Sequence, residues 1–103
     1  MKIQIEKTIT TKELAKLIGL SRTLVTLHLC RLDKYRTGLR NHFLYIYNGD
    51  FLKDLLEFYI TKAKTCYGER YEKYVQVVQK VKKMLELWNK AEKYRNSKTV
   101  KQD

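Results

Sequence analysis

Apolar residues fall along the chain in groups of different spacing, and each spacing predicts an element. From Thr11 to Leu32 (TKELAKLIGLSRTLVTLHLCRL) they recur at helical steps in two short runs. Leu14, Ala15, Leu17 and Ile18 form the first run, with the Thr11 hydroxyl as its expected N-cap. Gly19 takes positive φ at little cost, so this helix is expected to stop there. Leu20 inserts between the runs. Ser21 is the expected cap of a second helix whose buried stripe is Leu24, Val25, Leu29 and Leu32. Ala15 offers the small contact that two steeply crossing helices need.

On either side the pattern changes. Ile3 and Ile5 alternate with Gln4 and Glu6, which fits a short strand or an unstructured leader. Phe43, Tyr45 and Tyr47 alternate with Leu44 and Ile46, a strongly β-prone set. Tyr35 and Thr37 are the expected partner strand, which makes a β-hairpin with Gly38, Leu39, Arg40 and Asn41 at its tip. Asn48-Gly49-Asp50 then turns into a helix with Asp50 as expected cap and Asp54 near its positive end. Phe51, Leu52, Leu55, Leu56, Phe58, Tyr59 and Ile60 make that helix apolar over much of its circumference, so it is expected to be buried.

From Tyr67 to Tyr94, Tyr67, Tyr71, Tyr74, Val78, Val81, Leu85 and Trp88 follow at steps of four and three, a heptad seam. Gly68 marks a break before it. Such a helix is roughly 42 Å long, more than a small domain covers. The seam Tyr71, Tyr74, Val78, Val81, Leu85 and Trp88 is therefore expected to meet a second subunit, with folding back on its own domain as the alternative. The expected architecture is mainly α with a small β-hairpin (α+β). Residues 1–65 form one domain, 66–95 a long dimerisation helix and 96–103 a polar, flexible tail.

Charge narrows the partners. The 103 residues carry a net +11 with pI near 9.7. A polyanion is the natural partner, nucleic acid ahead of a membrane surface. The charge is spread evenly, +6 on residues 1–65 and +5 on residues 66–103, which together make the +11. Lys73, Lys80, Lys82, Lys83, Lys90 and Lys93 lie mostly off the seam, as a solvated face or as a flank for DNA. Cys30 and Cys66 form no CxxC pair and no zinc spacing, so no metal or cofactor is expected. His28 and His42 have no catalytic partner at a recognisable spacing, which argues against an enzyme. Nothing resembles a membrane span, a secretion signal or a small-molecule site, so an intracellular protein is expected. The lack of proline and the heavy use of lysine, tyrosine and isoleucine suit an AT-rich mobile element.

The central stretch resembles helix-turn-helix proteins at coupled positions. It has a small residue four places before the turn glycine (Ala15), Gly19 itself, Leu20 after it, and Val25 six places beyond. One position departs: nine places past the glycine, where the family buries an apolar residue, stands His28. Either His28 is a satisfied, partly buried imidazole, or the helix rotates, Leu27 moves inward and Leu29 takes over the core. An ordinary helical hairpin without DNA is the alternative.

With TTKELAKLIGLSRTLV, the YRTG run before the wing, the return strand HFLYIY and the helix opening at Asp50, the chain is similar to the winged-helix domains of the MerR and excisionase group. The resemblance covers about Ile9 to Tyr59, and the C-terminal region does not resemble an effector-binding domain of that group. It implies contact with double-stranded DNA through a recognition helix and a wing, without catalysis. On this frame Arg22, Thr23, Thr26, Leu27 and Arg31 face the major groove, with Arg22 the expected guanine contact. Ser21 offers a hydroxyl and amide to phosphate, and Lys34, Arg36 and Arg40 hold the wing to the backbone. The expected function is a small dimeric transcriptional regulator reading an inverted repeat. An excisionase-like or plasmid-segregation protein, or an interaction adaptor using the long helix, are the alternatives.

Overall fold

The computed structural model describes residues 7–37 and 43–101, with side chains as far as Lys93. It is mostly helical, with one small antiparallel sheet. Strand β1 (Thr8–Thr10) leads directly into helix α1 (Thr11–Ile18), and a tight turn separates α1 from α2 (Arg22–Leu29). A 3₁₀ segment (Cys30–Tyr35), strand β2 (Leu44–Ile46), helix α3 (Gly49–Lys64) and helix α4 (Glu69–Lys101) complete the order.

The turn is built as the sequence predicts. Gly19 has φ +75°, and the N–H groups of Gly19 and Leu20 both donate to the Ala15 carbonyl. Ser21 Oγ accepts from the Leu24 N–H at 3.2 Å and caps α2. The cap of α1, however, is Thr10 rather than Thr11. Thr10 Oγ1 accepts the Glu13 N–H while the Glu13 carboxylate accepts the Thr10 N–H, a reciprocal capping box. Thr11 is instead the first helical residue, buried, and its hydroxyl has no partner among the described residues. Similarly, α3 is capped by Asn48, whose Oδ1 accepts the Phe51 N–H at 2.8 Å, so Asp50 falls in the first turn.

The α2 helix ends at Leu29, and the chain tightens into the 3₁₀ segment with a kink at Leu32. Tyr35 belongs to that segment and not to a strand. Its ring meets Phe51 edge-on at 5.5 Å and its hydroxyl donates to Asp54 at 2.6 Å, which ties it to α3. The expected hairpin arm is thereby reduced to a bridge between Arg36 and Tyr45 and a 2.8 Å bond from the Thr37 N–H to the Leu44 carbonyl. The ladder proper of β2 is with β1, Ile9 opposite Tyr45, both buried. The strand expected at Ile3 and Ile5 and the hairpin tip with Arg40 lie outside the described residues.

The largest correction concerns α4. It begins after Gly68 (φ +64°), runs past the expected end near Tyr94 into the expected tail, and spans 33 residues, roughly 50 Å. Its apolar face folds back along α3 of the same chain. Tyr74 stacks on Tyr59 with ring centroids 6.2 Å apart, and Tyr74, Val77 and Val81 join the buried core. Val78, Leu85 and Trp88 pack half-buried against it, and only Tyr71 of the expected dimer seam stays exposed. The cause is α3 itself. Phe51, Leu52, Leu55, Tyr59 and Ala63 need cover on more sides than α1, α2 and the sheet provide, and α4 supplies it. Each buried phenylalanine or leucine among them gains about 1.5–3 kcal/mol on leaving water.

Candidate nucleic-acid interface

Helix α2 turns Val25, His28 and Leu29 into the core and leaves Arg22, Thr23, Leu27 and Arg31, the last just past its end, exposed. Leu27 is 63% exposed, which is high for a leucine on a packed helix. Thr26 is half-buried and donates its hydroxyl to the Arg22 carbonyl at 2.9 Å, so that proton is already committed. Ser21 is exposed at the N-terminal end.

His28 fixes this orientation. It is 5% exposed, and its Nδ1 lies 3.0 Å from the hydroxyl of fully buried Tyr59, one of the two donating to the other. The rings of Phe58 and Tyr74 approach it at 5.2 and 6.0 Å. Burial, reinforced by the positive charge of Lys62, pushes its pKa down to about 4, so the imidazole is neutral at pH 7. Burial likewise pushes the Tyr59 phenol upward. The helix is therefore not rotated, and Leu27 stays outside.

Two flanks border the exposed face. On one, the Arg22 guanidinium lies 5.3 Å from the Phe43 ring centroid, just before β2, a geometry that restrains the side chain. Below it the cations expected on the wing are engaged: Lys34 pairs with Asp54 at 3.1 Å and Arg36 with Asp33 at 3.2 Å. Bonds from Tyr35 and then Lys34 hold the Asp54 carboxyl below its ordinary pKa. Both pairs lie at the surface, where water screens them, so exchange of Asp for phosphate costs little.

Of Lys62, Arg70 and Lys73 on the other flank, only Lys73 was expected from the sequence. Leu24, Leu27, Arg31, Phe58 and Lys62 line a cleft of about 460 Å³ beside α2. A neighbouring one of about 500 Å³ shares Leu24, His28 and Lys62 and reaches Arg70, Lys73 and Tyr74. No acidic residue lines either cleft. Among the described residues Arg31, Lys62, Arg70 and Lys73 form no ion pair. The turn at Gly68 brings this cluster together by reversing the chain between α3 and α4. The break at Gly68, with basic residues on both sides, is the sequence signal for it.

Cys30 and Cys66 are free thiols. Among the described residues no group of three His, Cys, Asp or Glu could hold a metal ion, and no helix is long and apolar enough to cross a membrane. No protein-family model, curated protein or solved structure matches the chain.

Proposed function

We propose that the chain is a sequence-reading, double-stranded DNA-binding protein of winged helix-turn-helix design, a small transcriptional regulator without catalytic activity. The observation that carries the proposal is the face of α2: Arg22, Thr23, Leu27 and Arg31 are exposed together while His28 is withdrawn and hydrogen-bonded. Arg22 is the guanine-reading residue, and its stacking on Phe43 restrains it before DNA arrives. Ser21 meets phosphate at the helix N-terminus. Lys34 and Arg36 serve one strand, and Lys62, Arg70 and Lys73 the strand on the other flank.

The expected inverted repeat depended on a seam between subunits. The burial of Tyr74 and Val81 inside the core of one chain favours the fold-back alternative over a seam between subunits, and the proposed target is then one half-site per chain. The same burial weighs against the adaptor reading, which needs the apolar face of α4 to be free. Selection from random duplex DNA, with a solution-mass measurement of the free and bound protein, tests the proposal. The expected result is one enriched motif of roughly half a helical turn, lost in Arg22→Ala. In Lys62→Ala the motif persists, but the slope of log K against log salt falls by about 0.9. No enrichment of any sequence refutes the proposal.

A further inference from the structure

The cleft beside α2 has an apolar floor that a phosphate track does not call for. Leu24 and Phe58 are half-buried there and Leu27 is largely exposed, while the cations stand around them. A duplex backbone offers charge to Arg31, Lys62 and Arg70 but no apolar surface to fill the space between α2 and α3. The volumes, about 460 and 500 Å³ for two adjoining clefts, lie within the ~300–1,000 Å³ of small-molecule sites. The back wall is His28, neutral and already bonded to Tyr59, so the floor adds no charge of its own. With four cations and no acid on the walls, only an anion is attracted.

We propose that this cleft binds a small organic anion with a flat apolar body, the body on Leu24, Leu27 and Phe58 and the acidic group held by Lys62 and Arg70. Because Leu27 and Arg31 belong both to the cleft and to the exposed face of α2, the ligand and DNA compete, each weakening the other by the same factor. The competition rests on the proposed DNA reading; the binding of the anion does not.

The experiment titrates 8-anilinonaphthalene-1-sulfonate into the full chain by fluorescence, with uncharged N-phenyl-1-naphthylamine and inorganic phosphate as separate probes. The expected result is saturable binding of one sulfonate per chain. Its affinity falls about tenfold in Lys62→Ala/Arg70→Ala and clearly in Leu27→Asn, both variants keeping their circular dichroism and urea midpoint. The uncharged analogue binds far more weakly. Unsaturable binding, or an affinity unchanged in both variants, overturns the site. Phosphate binding that the double variant abolishes, without sulfonate binding, means a bare-anion site and overturns the apolar half of the proposal. Duplex DNA is expected to displace the probe. Sulfonate and DNA bound together at unchanged affinities overturns the competition, whereas sulfonate binding in a chain that binds no DNA keeps the site and refutes only the DNA reading.

Discussion

Replacing His28 with leucine puts an apolar side chain at a buried position of α2, and its effect on stability reverses with pH. At pH 8 the substitution strips the Tyr59 hydroxyl, fully buried, of its hydrogen-bond partner. An unsatisfied buried hydroxyl costs about 1–3 kcal/mol, and the added apolar burial of leucine offsets only part of it. The wild type carries an opposing liability. Its imidazole titrates at about 4 when folded and near 6.5 when unfolded, so between those values the unfolded chain binds more protons. The stability that this group contributes is complete above pH 6.5 and is lost as pH falls toward 4. Acidification from pH 8 to pH 5 costs the wild type about 2 kcal/mol through this residue alone, and His28→Leu nothing. Urea unfolding at pH 8, 6.5 and 5 measures both. His28→Leu is expected to be the less stable protein at pH 8 and the equal or better one at pH 5. Adding Tyr59→Phe to it should recover at least about 1 kcal/mol at pH 8, since nothing polar is then stranded. If the stabilities of wild type and His28→Leu run parallel across that range, the buried, neutral, hydrogen-bonded imidazole is wrong.

Two further pairs of substitutions test the turn and its caps. Thr10→Ala removes half of the capping box and should cost about 1 kcal/mol, whereas Thr11→Val, one residue on, should be neutral or stabilising because it deletes a buried hydroxyl without a partner. Thermal midpoints separate these outcomes, and equal losses would contradict the assignment of the cap. Gly19→Ala and Gly68→Ala should each destabilise by about 1–2 kcal/mol from the left-handed backbone alone. The new methyl at position 19 meets only the mobile end of Lys80, at 2.8 Å, and that at 68 meets nothing. A much larger loss at 19 than at 68 in urea unfolding would show that Lys80 cannot move aside.

What could be read from the sequence is local. The 3.6-residue period of Leu14, Ala15, Leu17 and Ile18, the glycine stop and the Ser21 cap depend on neighbours within a few residues, and all appear in the fold, save that Leu17 is exposed. The caps expected at Thr11 and Asp50 lie instead at Thr10 and Asn48. Thr10-x-x-Glu13 is a capping-box spacing, whereas Thr11 has Leu14 three residues on. What was hidden depends on distant partners. Heptad spacing in α4 says that Tyr74 and Val81 are buried, but whether α3 of the same chain or a second copy covers them is a competition between surfaces that no period encodes. Tyr35 carries β propensity, yet a hydrogen bond to Asp54 and a ring contact with Phe51 hold it in a 3₁₀ turn. The exposed positions Arg22, Thr23, Leu27 and Arg31 followed from helical phase. The cluster of Lys62, Arg70 and Lys73 follows from the reversal at Gly68.

Trp88, the chain's only tryptophan, lies where α4 meets the rest of the fold. Its indole stands edge-on to Tyr47 at 5.5 Å, with the Lys7 ammonium 5.6 Å from its centroid. It lies so near Gly49 that a methyl there would come within 3.3 Å of the indole nitrogen. The stretch from α1 through α2 contains no tryptophan or tyrosine at all. The single indole thus reports on the docking of α4 beside Tyr47 and Gly49. Emission and far-ultraviolet dichroism followed together during unfolding would therefore time the release of α4 against the melting of the helices, with no label attached.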